Sequence, residues 1–246
     1  MVLSQMGIDL GRYLALHNVQ SPYFKPYQFV THMFMHGSIT HIFFNMFALF
    51  MFGRMLEMVW EGKRFLIYYF VTGLGAAALH SIVNYLSLQE IHSQIVAFNN
   101  TPSPELLLEF IRDHLPNATA QVNEFVTSYS INSNDSSYAN EASALMNKIY
   151  ELHLNIPTVG ASGAVFGVLL AFGMLFPNLQ LRLLFPPIPI RAKYFVIFYG
   201  AAELYAAVMQ QPGDNVAHFA HLGGMVFGFL LIIYWNKKGI GNFDKF

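Results

Sequence analysis

The 246-residue sequence contains no cysteine. Disulfide frameworks, thiolate nucleophiles and cysteine zinc sites are excluded together, while the redox compartment stays open. Charge is scarce as well: Asp, Glu, Lys and Arg make up 11% of the chain, against about 25% in soluble domains. Its 14 acids nearly cancel its 13 bases, for a net charge of −1, so no basic field exists to attract nucleic acid or an anionic surface. Residues 1–22 lack the basic start and unbroken apolar run of a secretory signal peptide. What is abundant is apolar side chain, 54% of the residues, with 24 Phe, 13 Tyr and 12 Met. That balance points away from a water-soluble globule and toward a protein that faces lipid.

A transmembrane helix needs about 20 mostly apolar residues, because the hydrocarbon core is roughly 30 Å thick and each residue rises roughly 1.5 Å. Five stretches are candidates: 38–60, 65–88, 157–177, 194–211 and 215–235, the fourth being shorter and containing Glu203. The expected fold is all-α, a polytopic membrane helix bundle. Bases cluster beside the inner ends: Arg54, Lys63 and Arg64 in the first turn, Arg182, Arg191 and Lys193 in the third linker, and Lys237, Lys238 and Lys245 in the tail. Only Arg12, Lys25, Arg112 and Lys148 lie on the other side. The first set is therefore expected to be cytoplasmic, so that spans one, three and five all start from the outer face.

The expected organisation is one domain in three parts: 1–88, an outer loop with two spans; 89–156, an extracytoplasmic insert; and 157–236, three spans. The insert carries eight acids against two bases. Within it, 104–115 and 141–154 have helical spacing of apolar residues, and 131–140 reads as loop. Two readings stay open for these helices: surface helices packed on each other, or an element that docks on the membrane edge or a partner. The proline-rich run 184–190 reads as a stiff connection.

Polar residues inside lipid are costly, which makes His41, Asn45, Glu57, His80, Ser162, Glu203, His218 and His221 the candidates for chemistry. Ser162 lies five residues past Pro157 and His221 six past Asn215, which sets both roughly 8 to 9 Å below the start of their spans. Gly163 and Gly167 on one span, and Ala220, Gly224 and Gly228 on the other, form small-residue ridges that let backbones approach. Ser162 sits in a first helical turn, where unpaired N–H groups favour a developing anion. His41 and Asn45, four apart, share a helix face near the outer end. A lone serine in such a helix usually bonds its own i−4 carbonyl. The reading rests on the conjunction of three spans of one orientation.

Three segments, HGSITHIFFNMFALFMFGRMLE, GASGAVFG and AHFAHLGGMVFG, resemble in order and spacing the rhomboid intramembrane serine proteases, over essentially 26–235 apart from the insert. The resemblance implies Ser162 as nucleophile and His221 as its general base, a dyad without an acidic third member. It implies oxyanion support from His41, Asn45 and the Ser162 N–H, and packing of the catalytic imidazole on Phe166. His218 either assists the oxyanion or lines a wet cavity. Structural roles fall to Gly53, Glu57, Gly160, Gly163, Gly224 and Gly228, with Glu57 tying the cytoplasmic end of its helix to neighbours. The family core has six helices, so the usual first helix is expected to be missing: the chain starts late, is shortened, or manages with five spans. Tyr27-Gln28 stands where many members have Trp-Arg. Glu203 falls on the span taken to admit substrate sideways, and a structural hydrogen bond is its expected role. His32 and His36 are expected to order the loop above His41, with a metal role as the other reading. His80 has no assigned role.

The implied activity is hydrolysis of peptide bonds in single-pass transmembrane substrates near the outer face, through an acyl-enzyme on Ser162. No cofactor and no metal is implied, and the expected partners are membrane lipids and those substrates, not nucleic acid. The expected location is a bacterial inner membrane, with the site opening outward. Two other classes remain: a catalytically silent rhomboid-like binder of transmembrane helices, and a metal or proton transporter lined by His36, His41, His218 and His221.

Overall fold

The computed structural model describes residues 9–182, 189–209 and 217–240. The chain divides into two compact units, one of Met1–Leu16, Lys25–Ile82 and Pro157–Phe246, the other of His17–Phe24 and Val83–Ile156.

The first unit opens with the short helix α1 (Leu10–Leu14), then α2 (Gln28–Thr31), which runs on as a 3₁₀ turn at His32–Phe34. Helix α3 (Ile39–Ala48) begins where the Ser38 hydroxyl accepts the N–H of His41 at 3.0 Å, satisfying one of the unpaired first-turn donors. It passes through a π turn (Leu49–Gly53) into α4 (Arg54–Asn100). Helical geometry inside α4 fails at Glu61 alone, with φ 61° and ψ 162°. The run Ile39–Asn100 and the helix α10 (His218–Lys237) are, among the described residues, the two long and apolar enough to cross a membrane. The sequence reading of five separate spans differs from this for physical reasons. Spans one and two are two helices that meet at a kink at Glu61, inside the turn expected between residues 60 and 65, and are continuous otherwise. Helix α8 (Ser162–Leu175) is apolar but only 14 residues long, because 157–161 is held non-helical. Helix α9 (Ala192–Met209) carries Lys193 and Glu203 in its 18 residues. Between α8 and α9, β1 (Gln180–Arg182) and β2 (Pro189–Arg191) pair antiparallel, Leu181 opposite Ile190, a hairpin the sequence did not suggest. Of the expected stiff run, 184–188 lies outside the described residues.

Helix α8 is buried along nearly its whole length and packs against α10, α9, α3 and the π turn. Around it, Leu56, Trp60, Tyr68, Val168, Phe172, Ile232 and Trp235 form the core. Trp60 lies 4.8 Å from Tyr68 and 5.3 Å from Trp235, ring to ring, and the Tyr68 hydroxyl donates to the Gly167 carbonyl at 2.8 Å. The outward faces are equally apolar: Phe43, Phe44 and Phe50, then Ile197 (67% exposed), Phe198 (74%) and Val208. In water so much exposed apolar surface would drive association, whereas in lipid it is the expected face.

The second unit joins the end of α4 to α5 (Pro104–His114), α6 (Ala120–Ile131) and α7 (Ser136–Leu154). Its core contains Phe98, Leu107, Phe110, Tyr129 and Met146. Each new helix starts at a side-chain cap: Ser103 accepts from Leu106 N–H, Thr119 from Val122 N–H and Asp135 from Ser137 N–H. The cap at Asp135 starts α7 five residues ahead of the expected position, so the loop expected over 131–140 shrinks to 132–135. Helix α6 was not expected at all, since its apolar residues are too evenly spread to form a stripe.

Candidate active site

Three ties position the loop ahead of Ser162. Leu16 and Thr158 exchange backbone hydrogen bonds at 2.9 and 2.8 Å. The Gly160 N–H donates to the His32 carbonyl at 2.9 Å. His80 Nε2 is hydrogen-bonded to Thr158 Oγ1 at 2.8 Å, a role for His80 that the sequence did not supply. Gly160 adopts φ +120°, and a Cβ there would meet the His41 ring at 2.7 Å, so both backbone and space require glycine. His32, buried beneath the loop, donates from Nδ1 to the Gln28 carbonyl at 2.9 Å. Burial holds its imidazole below the usual range, only partly offset by backbone hydrogen bonds.

Ser162 opens α8, and no side chain caps that helix, which leaves its first N–H groups unpaired by caps. Its Oγ lies 2.9 Å from His221 Nε2. On the far side of the ring, His221 Nδ1 donates to Glu203 Oε2 at 2.8 Å. The same oxygen accepts from His218 Nδ1 at 2.6 Å. A proton on Nδ1 leaves Nε2 as the bare nitrogen, so the Ser162 hydroxyl donates to it. The ring of Phe166 stacks on that of His221 with centroids 4.1 Å apart and planes 8° from parallel, and Tyr199 continues the stack at 5.3 Å. Two helices can bring these groups together because Gly224 has no Cβ, which would clash with the Gly163 carbonyl oxygen. A Cβ on Gly228 would likewise strike the Tyr68 hydroxyl.

The other expected site residues stand nearby or apart. The His41 ring covers Gly160 and lies 5.2 Å from that of His36, edge to face. Burial, and next the neighbouring His41, hold His36 below its usual range. Asn45 is buried, and its amide donates to the His41 carbonyl one turn back, at 3.1 Å. Gly53 faces Phe65, where a Cβ would come within 2.9 Å. Glu57 is exposed, its carboxylate lying over Gly62. A cavity of about 20 Å³ beside Ser162, lined by His32, His80, Thr158 and Gly160 among others, has room for one water.

Glu203, His218 and His221 bring ligand-type atoms within 4.8 Å of one another. Oxygen–nitrogen separations of 2.6 and 2.8 Å are those of hydrogen bonds, since donors around a tetrahedral zinc stand about 3.3 Å apart. The place of Glu203 at His221 is what sequence reasoning missed. The available signal was that Glu203 is the one acid in α9.

Apolar outward faces, together with polar groups gathered among close-packed helices, define an integral membrane helical protein. The Rhomboid domain family matches residues 23–92 and 125–238, about three quarters of the chain, and this protein belongs to the rhomboid family. It is also similar to Rhomboid protein 1, mitochondrial, of Saccharomyces cerevisiae, with 37% identity over 90 residues. Those residues are 37% of this chain and 25% of that protein. No solved structure matches the chain.

Proposed function

We propose that this protein is a serine endopeptidase that cleaves single-pass transmembrane proteins within the membrane, near its outer face. The observation that carries the reading is the 2.9 Å approach of Ser162 Oγ to His221 Nε2, with the Ser162 proton directed at the ring. Attack on a scissile carbonyl passes the hydroxyl proton to His221, which returns it to the leaving amine. The carbonyl oxygen becomes an oxyanion, for which the uncapped N–H at Ser162 and the side chains of His41 and Asn45 are the proposed donors. The acyl group on Ser162 is then released by a water, and the cavity beside Ser162 can supply one.

Membership of the family, whose members are generally intramembrane serine proteases, supports this reading. The proposed topology has five spans, the outward opening follows the distribution of bases, and the proposed membrane is a bacterial inner membrane. The test is cleavage of a reporter transmembrane substrate by purified protein in detergent. Ser162→Ala should lose all measurable cleavage with an unchanged melting temperature, and cleavage at the wild-type rate would refute the assignment.

A further inference from the structure

We propose that Glu203 is a positioning residue that converts the serine–histidine pair into a Ser162–His221–Glu203 relay, an inference that rests on the hydrolytic reading above. The resemblance to the rhomboid proteases implies a dyad, and here a third member stands in place. Glu203 lies on α9, while His221 is on α10 and Ser162 on α8, so the three groups converge from three helices. The contacts run in series, Ser162 Oγ to Nε2 at 2.9 Å and Nδ1 to Glu203 Oε2 at 2.8 Å.

An imidazole without an acceptor at Nδ1 exchanges tautomers, and half the choices put a hydrogen between Nε2 and the serine. A carboxylate accepts hydrogen bonds and donates none, so it fixes the productive tautomer. It also faces the ring where positive charge develops when His221 takes the proton. That charge forms at a residue only 7% exposed, with Phe166 across its face, where water cannot compensate it. His218 serves the same end. By donating to the same Oε2 at 2.6 Å it offsets the cost of placing a carboxylate among apolar helices and holds the oxygen against His221.

A merely structural tie between α9 and α10 would behave differently on substitution. Glutamine keeps an acceptor oxygen and nearly the same volume, so Glu203→Gln preserves the tie and removes the charge. The experiment uses full-length protein in detergent and measures three quantities: the rate of covalent labelling by a fluorophosphonate, kcat and KM on a transmembrane reporter, and the melting temperature. Glu203→Gln should slow labelling and lower kcat by about 10- to 100-fold, the worth of a charge-assisted hydrogen bond, with KM and melting temperature held. Glu203→Asp, which keeps the charge one methylene further back, should recover part of that loss. EDTA should leave wild-type rates unchanged. Labelling of Glu203→Gln at the wild-type rate would overturn the relay and leave the hydrolytic reading standing. Equal losses in Gln and Asp variants that track the melting temperature would reduce Glu203 to a tie. Loss of wild-type labelling with EDTA would make the cluster a metal site. Wild-type protein that fails to label at all would remove both readings together.

Discussion

A buried hydroxyl calls for an acceptor, and the hydroxyls of this protein are treated in opposite ways. That of Ser162 meets His221 Nε2 and that of Tyr68 meets the Gly167 carbonyl. That of Tyr129, in the second unit, is fully buried and has no partner among the described residues. An unpaired buried hydroxyl is a cost without a return. Tyr129→Phe should therefore raise the stability of the second unit by about 1 kcal/mol, measured as a higher denaturation midpoint, while leaving cleavage unchanged; a lower midpoint would mean that the hydroxyl is satisfied. Ser162 and His221 could be read from the sequence because they fall at equal depth in their spans, whereas Phe166 came only through the resemblance to the rhomboid proteases. Glu203 could not. Its place opposite His221 depends on how α9 is rotated against α10, and nothing in the spacing of either helix sets that rotation.

At the scale of elements, the site depends on how closely α8 and α10 approach. The glycine ridges were legible because small residues four apart leave a groove wherever the helix happens to sit. Gly224→Ala would set a methyl group on the Gly163 carbonyl oxygen. Separating the helices to admit it should cost about 1–3 kcal/mol and widen the gap between Ser162 and His221. The expected result is a lower melting temperature together with slower fluorophosphonate labelling; an unchanged value of both would show that the helices do not approach there. Helix boundaries were less legible. The break at Glu61 falls in the turn expected between the first two spans, and only its positive φ at a residue other than glycine is something that no propensity would indicate. Helix α4 continues to Asn100 because no glycine or proline falls between Gly75 and Pro102, whereas the apolar signal ends near 88. Polar helices of the second unit carry that continuation; the apolar spacing placed the start after Ser103 correctly, while the caps at Thr119 and Asp135 mark starts that it missed or set late.

For the molecule as a whole, two units of different chemistry share one chain. The first exposes apolar faces, and the family match runs through most of it. The second is polar outside, and the match breaks across 93–124 within it. The second unit contains a pH-sensitive histidine. His114 is hydrogen-bonded to Gln94 at 2.8 Å, and its carbonyl accepts from His153 Nε2 at 3.1 Å. Burial, and next the neighbouring His153, hold His114 below its ordinary value of 6.5, against smaller opposing effects of Asp113 and Glu90. The unfolded chain takes up this proton near pH 6.5 and the folded one only lower. Stability is therefore full above that pH and is lost as pH falls from it. Hydrogen-exchange protection of residues 83–156, corrected for the intrinsic exchange rate at each pH, should fall between pH 7.5 and 5.5, and His114→Gln should flatten that dependence; an equal slope in both proteins would assign it to other groups.

The most direct measurement reacts the purified full-length protein with a fluorophosphonate and locates the adduct by peptide mass spectrometry. A single phosphonyl group on Ser162, absent from His221→Ala, is the predicted result. An adduct elsewhere, or undiminished labelling of Ser162 without the imidazole at 221, would contradict the proposal that these two side chains act as one nucleophile.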